Sequence, residues 1–209
     1  MPTSTERLRQ ALYDNAPHFG IELRPEHVNG LSSYYELLLK WNNKLHLVAP
    51  CTPEEFATRH LLESLFLLSQ LPKSARLADV GSGGGLPIVP CLIVRDDLRV
   101  TAIESSQRKA VFLREAVRVT NSREPAQVLT ARFEEIEAPE VDFVSCRALE
   151  KFEKMLPALL NWAPNGSELL LFTGANLRRQ IEELIPSARV YPIPLSERRF
   201  LIGARASGA

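Results

Sequence analysis

The fold of this chain is decided by Leu77-Ala78-Asp79-Val80-Gly81-Ser82-Gly83-Gly84-Gly85. The stretch has the pattern of a short apolar strand that runs into a glycine-rich turn, and residues 86–95 continue as a predicted helix. Glycine has no Cβ and tolerates positive φ, so the backbone of such a turn can come close to a bound ligand. The helix behind the turn presents free N–H groups and a partial positive charge. The segment therefore predicts a binding loop for a nucleotide-like cofactor.

The spacing of the glycines narrows the choice of cofactor. The dinucleotide fingerprint G-x-G-x-x-G fails in both possible registers, because Leu86 or Ile88 stands where its last glycine belongs. The spacing that fits is Asp79-x-Gly81-x-Gly83-x-Gly85. This D-x-G-x-G-x-G pattern resembles the first motif of the class I S-adenosylmethionine (SAM) methyltransferases. SAM has no pyrophosphate, so the turn only has to let the methionine part and the ribose pass close to the backbone.

An acidic residue supports the same cofactor. The second predicted strand is Arg99-Val100-Thr101-Ala102-Ile103-Glu104, and Glu104 lies at its carboxyl end. An acid about 20 residues beyond the glycines is placed to bind ribose hydroxyls. The alternative is that Glu104 caps the next helix. Turn and acid together favour SAM over NAD, which leaves a NAD-dependent oxidoreductase as the disfavoured hypothesis.

Bulk properties exclude several classes of protein. The chain has 209 residues, 25 basic and 25 acidic, and 45% hydrophobic residues, which fits one large α/β domain with or without a helical extension. No apolar run approaches the roughly 18 residues of a membrane span, and the N-terminus lacks a signal-peptide pattern. The three cysteines have no metal-ligand spacing and indicate a reducing cytoplasm, with no metal site expected. The neutral net charge neither indicates nor excludes a nucleic-acid substrate.

Two regions are predicted along the chain. Residues 1–74 show helical periodicity and form an N-terminal extension, and residues 75–209 form the SAM-binding domain. In the second region strands alternate with helices, which predicts a Rossmann-like, mostly parallel sheet of seven strands, the last two forming an edge hairpin at 188–191 and 199–202. The other predicted strands are 77–81, 99–104, 126–130, 141–145 and 167–173. The predicted helices of this region are 86–95, 106–119, 152–162 and 175–185.

Several blocks along the chain resemble one family in order. The family is that of the bacterial 16S rRNA guanine-N7 methyltransferases, RsmG or GidB. The resemblance covers roughly residues 40–175. The blocks that carry it are Trp41-Asn42-Asn43-Lys44-Leu45-His46-Leu47, Arg59-His60-Leu61-Leu62-Glu63-Ser64-Leu65, Asp79 to Pro87, Arg108-Lys109 with Phe112-Leu113, Arg132-Phe133-Glu134, and Ser145-Cys146-Arg147-Ala148.

The resemblance implies a site as well as a substrate. Arg147 would face the cofactor or the RNA near the active centre and position the substrate, and Glu104 would take the ribose. The substrate would be 16S rRNA or the small ribosomal subunit, and a cytoplasmic monomer with no membrane partner is expected. The residues implied to bind the cofactor are Asp79, Gly81, Gly83, Gly85, Leu86, Glu104, Phe133, Glu134 and Arg147, with Gly81 and Leu86 along the methionine and ribose and Phe133 and Glu134 beside the adenine.

The sequence departs from the family pattern at four places along the chain. Ile88 replaces a glycine after the loop proline, His46-Leu47-Val48 replaces Asn-Leu-Thr, Glu104 stands where aspartate is common, and Thr173-Gly174 replaces Lys-Gly. The lysine is the most consequential loss, since a cation there could contact an RNA phosphate. The changes at 88 and 173 motivate an alternative hypothesis, a family member that binds SAM or RNA but has lost or changed methyl transfer.

The predicted reaction needs no general base. Guanine N7 is a bare lone pair and can attack the methyl group without losing a proton, so the enzyme positions the reactants and excludes water. Ser145-Cys146-Arg147-Ala148 stands where amino methyltransferases of DNA have an Asn-Pro-Pro-Tyr-like motif, which argues against amino methylation.

Structural alternatives stay open for the remaining polar residues. Arg147 could be a surface ion-pair partner, Glu134 a cap, His60 a structural histidine and Cys146 a small strand residue. Further basic residues fit either a solvated face or an RNA-facing stripe. They are Arg108, Lys109, Arg114, Arg118, Arg178-Arg179 and Arg198-Arg199.

Overall fold

A computed structural model of the chain describes residues 1–120, 126–147 and 152–206. Within these residues seven strands form one sheet in the order β3-β2-β1-β4-β5-β7-β6. The first five strands pair in parallel, and β7 is antiparallel to both β5 and β6. The sheet confirms the predicted seven-stranded topology with its edge hairpin. The strands are β1 (Arg76–Val80), β2 (Arg99–Glu104), β3 (Gln127–Thr130), β4 (Phe143–Arg147), β5 (Glu168–Gly174), β6 (Arg189–Pro192) and β7 (Arg199–Arg205).

Helices precede the sheet and alternate with its strands. Short 3₁₀ turns extend two of them, at Ala16–Phe19 and Leu67–Gln70, and a third 3₁₀ turn, Phe133–Glu135, lies between β3 and β4. No helix in the described ranges is long and apolar enough to cross a membrane. The helices are α1 (Ser4–Asn15), α2 (Pro25–Leu45), α3 (Pro53–Phe56), α4 (Glu63–Phe66), α5 (Ile88–Val94), α6 (Gln107–Arg118), α7 (Phe152–Trp162) and α8 (Ala175–Leu184).

Two helices of the N-terminal region are capped at their first turn by side chains. The Glu55 N–H donates to Thr52 Oγ1 at 3.2 Å, and Glu55 Oε2 accepts from the Thr52 N–H at 3.2 Å. Thr3 and Glu6 form the same capping box at the start of α1. The helix that starts at Thr52 does not stay α-helical, because the six residues Ala57–Leu62 between α3 and α4 adopt a π-helix. Sequence periodicity predicted the helix but not this widened segment.

The sheet separates two hydrophobic clusters. Side chains alternate between its faces along each strand, so Leu77 packs with the N-terminal helices, α5 and α6, whereas Ala78 and Val80 pack with α7 and α8. The N-terminal helices and one face of the sheet share a single core, which also contains Leu8, Tyr34 and Leu61. The helical extension therefore covers the sheet directly and forms part of the surroundings of the glycine turn.

The fourth strand lies two residues later than predicted. It spans Phe143–Arg147 rather than 141–145, because pairing with both neighbouring strands begins at Phe143. Asp142 instead accepts from the Arg76 guanidinium at 2.8 Å just before the strand. Cys146 and Arg147 are consequently the last two residues of the strand rather than part of the loop beyond it.

Left-handed backbone explains why the turn is rich in glycine. Gly81, Gly83 and Gly85 have φ values of 75°, 50° and 81°, in a region that residues with a Cβ rarely adopt. Gly85 is also close-packed, since a Cβ built on it would lie 2.6 Å from Val89 Cγ2. The three motif glycines are thus required by backbone conformation, and Gly85 in addition by the approach of α5.

Two glycines with the same φ provide a matched test of this packing. Gly85 and Gly166 both have φ of 81°, but a Cβ on Gly166 would have nothing within 4 Å. Gly166→Ala should lower the free energy of unfolding by about 1 kcal/mol through backbone strain alone, and Gly85→Ala by about 3 kcal/mol because overlap with Val89 is added. Urea unfolding of both variants measures the difference. Equal losses would show that α5 relaxes freely away from the turn.

Candidate active site

A cavity of about 680 Å³ opens beside the glycine turn, at the carboxyl ends of β1, β2 and β4. Ligands of open α/β sheets bind at this edge. The wall combines the turn, the ends of neighbouring strands and two pieces of the N-terminal region. Its residues are Leu47, Val48, Ala49, His60, Val80, Gly81, Ser82, Gly83, Gly84, Leu86, Ile103, Glu104, Ser105, Ser106, Lys109, Ala131, Arg132, Phe133, Glu134, Arg147 and Met155.

Glu104 is held at the cavity by two backbone groups. The Gly83 N–H donates to its Oε2 at 2.8 Å, and the Ser106 N–H donates to its Oε1 at 2.7 Å. The side-chain cap of α6 is Ser106, whose Oγ accepts from the Lys109 N–H at 3.4 Å, so Glu104 supports that helix start through the cap residue. A carboxylate accepts up to four hydrogen bonds, and each oxygen of Glu104 retains capacity for a hydroxyl donor in the cavity.

Asp79 lies behind the turn and does not line the cavity. It is 1% exposed, and Ser145 Oγ donates to its Oδ1 at 2.6 Å. Its other oxygen, Oδ2, is buried and has no hydrogen-bond partner in the part of the chain that the structure describes. Burial raises the pKa of this carboxyl to about 7, against the opposing effect of the Ser145 hydrogen bond. Asp79 and the equally hidden Gly85 were both predicted to bind cofactor, and the structure places them as supports of the turn.

Phe133 and Glu134 both line the cavity on the far side of Glu104. The Phe133 ring is 4% exposed and packs edge-on against Trp162, with 5.5 Å between ring centroids. Glu134 Oε1 lies 3.3 Å from Arg132 Nη2. Their 3₁₀ turn, Phe133–Glu135, therefore presents a rigid backbone and one carboxylate to the cavity.

Arg147 lines the cavity, but its guanidinium is bound to the N-terminal region. Nη2 donates to the Arg59 carbonyl at 2.7 Å and lies 3.1 Å from Glu63 Oε2, and Nη1 donates to Ser64 Oγ at 3.2 Å. The side chains of Arg147 and Glu63 are 15% and 3% exposed, and Arg199 makes a second ion pair with Glu63. Arg147 is therefore an ion-pair partner, as the alternative held, but the pair is buried rather than on the surface.

The N-terminal region forms a wall that sequence patterns did not predict. Leu47, Val48 and Ala49 line the cavity from the loop after α2, and Asn42 fixes this loop by exchanging two hydrogen bonds of 3.0 Å with the Val48 backbone. Tyr34, buried in α2, donates its hydroxyl to the Gly84 carbonyl at 2.5 Å. The only signal in the sequence was the Trp41 to Leu47 block, which gives no spatial information without the family.

Two of the positions that depart from the family pattern, Ile88 and Thr173, lie away from the cavity, whereas Leu47, Val48 and Glu104 line it. Ile88 is buried in the core at the start of α5, where φ is not positive, so the position does not require glycine. Thr173 is buried in β5 and does not line the cavity, and its Oγ1 has no hydrogen-bond partner within the described ranges. Cys146 is also buried, and its side chain packs on the face of the sheet that α7 and α8 cover. Ala148, the last residue of its motif, lies outside the described residues.

The basic residues predicted to form a stripe on α6 do not all face the cavity. Lys109 lines the cavity, whereas the Arg114 guanidinium donates to Thr130 Oγ1 at 2.7 Å on β3. Arg108 and Arg118 are exposed. One cation of the four therefore reaches the cavity wall.

Comparison with known proteins identifies the family. A family profile described as GidB, rRNA small subunit methyltransferase G, matches residues 27–192. The chain belongs to this family. Ribosomal RNA small subunit methyltransferase G of Xanthomonas campestris pv. campestris (strain B100) is 37% identical over 161 residues, covering 77% of this chain and 75% of that protein. The protein of the same name from Rhodospirillum centenum (strain ATCC 51521 / SW) is 43% identical over 150 residues, covering 71% and 68%.

Solved structures support the same fold at low sequence identity. A ribosomal protein L11 methylase from Lactobacillus delbrueckii subsp. bulgaricus aligns with a TM-score of 0.57 and 13% identity, covering 70% of this chain and 78% of that one. The tRNA (m1A58) methyltransferase TrmI from Aquifex aeolicus aligns with a TM-score of 0.54 and 16% identity, covering 70% and 69%. These likenesses show the class I methyltransferase fold.

Family and fold together establish a SAM-dependent methyltransferase. They confirm SAM as the predicted cofactor in place of NAD. They give no support to the alternative of a member that binds without transferring methyl groups.

The buried setting of Arg147 predicts a large effect on stability, and Arg178 provides a matched control. Both guanidiniums stack over a phenylalanine and pair with a glutamate at 3.1 Å, but the Arg178 and Glu182 side chains are 37% and 39% exposed. Arg147→Ala leaves Glu63 half-paired in the interior and should lower the free energy of unfolding by about 3 kcal/mol. Arg178→Ala should lower it by about 1 kcal/mol or less. Equal losses in chemical denaturation would contradict the anchoring role of the buried pair.

Proposed function

We propose that this enzyme transfers the methyl group of SAM to N7 of a guanosine in 16S rRNA, either free or in the small ribosomal subunit. It would act as a cytoplasmic monomer, in which residues 1–74 form a helical extension of a SAM-binding domain at 75–209. The names of its relatives supply the rRNA class. The choice of N7 rests on one observation, which is that the polar side chains around the cavity are already held in hydrogen bonds and ion pairs.

The described residues of the cavity suit SAM. The turn from Gly81 to Leu86 would run along the methionine part and ribose, where its left-handed glycines leave the backbone accessible. Glu104 would accept from the ribose hydroxyls with the capacity left by its two backbone donors. Phe133 and Glu134 would flank the adenine. When bound, SAM supplies an electrophilic methyl group on a positively charged sulfur.

The polar side chains around the cavity are poorly suited to removing a proton. Both oxygens of Glu104 already accept backbone hydrogen bonds, Glu134 is paired with Arg132, and the Arg147 guanidinium is paired with Glu63. Burial and three nearby arginines lower the pKa of His60 to about 4, which makes it a weak base. Methylation of an N–H or O–H group would need such a base, but N7 of guanine carries a free lone pair. The walls would therefore act by orienting the base and excluding water.

Cations at the cavity support a polyanionic substrate. Lys109 and Arg132 belong to the wall, and Arg108 is exposed next to Lys109. Phosphate contacts depend on local rather than net charge, so a neutral chain can bind RNA through them. Thr173 is buried away from the cavity and cannot take the role of the family's lysine after the fifth strand. We propose that Lys109, Arg132 and Arg108 contact the RNA phosphates in its place.

The proposed role of Glu104 in binding SAM predicts that its substitution weakens SAM binding more than substitution of Glu134 does. In Glu104→Gln the new amide N–H₂ must face one of the two backbone N–H donors, so both the turn and the ribose contact are disturbed. Calorimetry should show SAM affinity at least about 10-fold weaker, the loss of one or two hydrogen bonds. Glu134→Gln, at the more exposed acid of the same cavity, should weaken binding less. A larger loss for Glu134→Gln would reverse the assignment.

The N7 assignment is tested by deleting the acceptor atom. Transcripts of 16S rRNA, made with guanosine or with 7-deazaguanosine and assembled into small subunits where needed, are incubated with enzyme and methyl-labelled SAM. We expect labelling of the guanosine RNA and none of the 7-deazaguanosine RNA, because carbon replaces the attacking nitrogen. Equal labelling of both would place the methyl group on another atom. Labelling of neither, with SAM binding intact, would reject rRNA as substrate.

A further inference from the structure

His60 is a polar residue of the cavity wall that the proposed cofactor contacts leave without a role. It lies in the π-helical segment Ala57–Leu62, and its ring packs against Phe56 with 5.1 Å between centroids. Nδ1 of the ring is buried and has no hydrogen-bond partner among the residues that the structure describes. Buried polar atoms are nearly always paired, so an orphan at a cavity indicates a function or a missing ligand. Short π-helical segments are also frequent at functional sites.

The backbone of His60 is fixed against the end of β4. Its carbonyl accepts from Ser64 Oγ at 2.5 Å and from Arg147 Nη1 at 3.5 Å, and the preceding carbonyl, of Arg59, accepts from Arg147 Nη2 at 2.7 Å. The buried ion pair between Arg147 and Glu63 holds this arrangement in place. The imidazole is thus presented to the cavity by a rigid support rather than by a mobile loop.

The electrostatic surroundings keep the ring neutral. Burial acts first, and Arg147, Arg59 and Arg199 add to it, so that the pKa of His60 falls to about 4. A neutral imidazole has one donor and one acceptor nitrogen, and both match groups on the edges of a purine. It also adds no positive charge at a place where the methylated purine itself becomes a cation. A lysine or a protonated histidine in this position would repel the product.

We propose that His60 is a substrate-binding residue whose imidazole hydrogen-bonds the target purine in the cavity. The inference rests on the proposed function, since it takes a guanosine of RNA as the acceptor. It assigns recognition of the base to the N-terminal extension, opposite the strand ends and the glycine turn that would hold SAM. The base would meet the part of the imidazole that lines the cavity.

Two substitutions separate base recognition from a structural role. His60→Leu removes the polar nitrogens and fills the same space with apolar atoms, so the melting temperature should be unchanged or higher. The value of kcat/KM for RNA should nevertheless fall by about 10- to 100-fold, the loss of one buried hydrogen bond. The affinity for SAM, measured by calorimetry, should change less than 2-fold. His60→Gln keeps a polar amide at the end of the side chain and should restore part of kcat/KM.

His27 is the matched control. It is buried, whereas His60 is partly exposed, and burial lowers the pKa of both rings. Both ring nitrogens of His27 contact Arg24, and the residue does not line the cavity. His27→Leu should lower the melting temperature and leave kcat/KM for RNA unchanged. A reversed pattern, with His60→Leu destabilised and fully active, would overturn the inference, as would a parallel loss of SAM affinity in His60→Leu.

The wild-type enzyme distinguishes this inference from the function on which it rests. If the wild type methylates rRNA and His60→Leu does so equally well, base recognition by His60 is rejected and the proposed function stands. If the wild type binds SAM but transfers no methyl group to rRNA or to the subunit, both are rejected. Methylation by the wild type with a selective loss in His60→Leu supports both.

Discussion

The architecture of this enzyme depends on one buried ion pair, between Arg147 at the end of β4 and Glu63 in the N-terminal helices. Burying a carboxylate is costly, and burial raises the pKa of Glu63 against the pull of Arg147 and Arg199. Such a pair is tolerated only when its geometry is good, and losing one partner leaves an uncompensated charge in the interior. The ion pair therefore restricts how the N-terminal region packs on the sheet, and the observed packing closes the cavity.

That constraint explains why a helical extension can belong to the active site. We propose that the glycine turn and the end of β2 hold the cofactor, and neither of them contacts the N-terminal helices by necessity. Here Tyr34 bonds to Gly84, and the loop after α2 lines the cavity. The extension thus provides a wall that the sheet alone lacks. A wall of this kind excludes water, which methyl transfer to a weak nucleophile requires.

The sequence predicted those parts of the site that depend on local chemistry. Glycines with left-handed backbone and an acid at a strand end leave patterns that spacing alone reveals, and the structure brings Gly83 and Glu104 into contact. The π-helical segment and the partner of Arg147 leave no such pattern, because they depend on how distant elements pack. The two-residue shift of β4 has the same origin, since Asp142 is occupied by Arg76 before pairing begins. Asp79 was recognised by its motif, but its hidden position behind the turn is a property of the three-dimensional fold.

The charges around the cavity fit a reaction that moves a positive charge rather than a proton. The proposed transfer to N7 would take the charge from sulfur to the purine ring, so the site would need walls that do not oppose a cation at either place. Glu104, bonded to two amides, contributes a fixed negative charge on the cofactor side. On the opposite side the Arg147 charge is offset by Glu63, and the same arginines that surround His60 keep its ring from becoming a second cation. The ion pair between Arg147 and Glu63 therefore also contributes to the electrostatics of the wall that we propose to face the base.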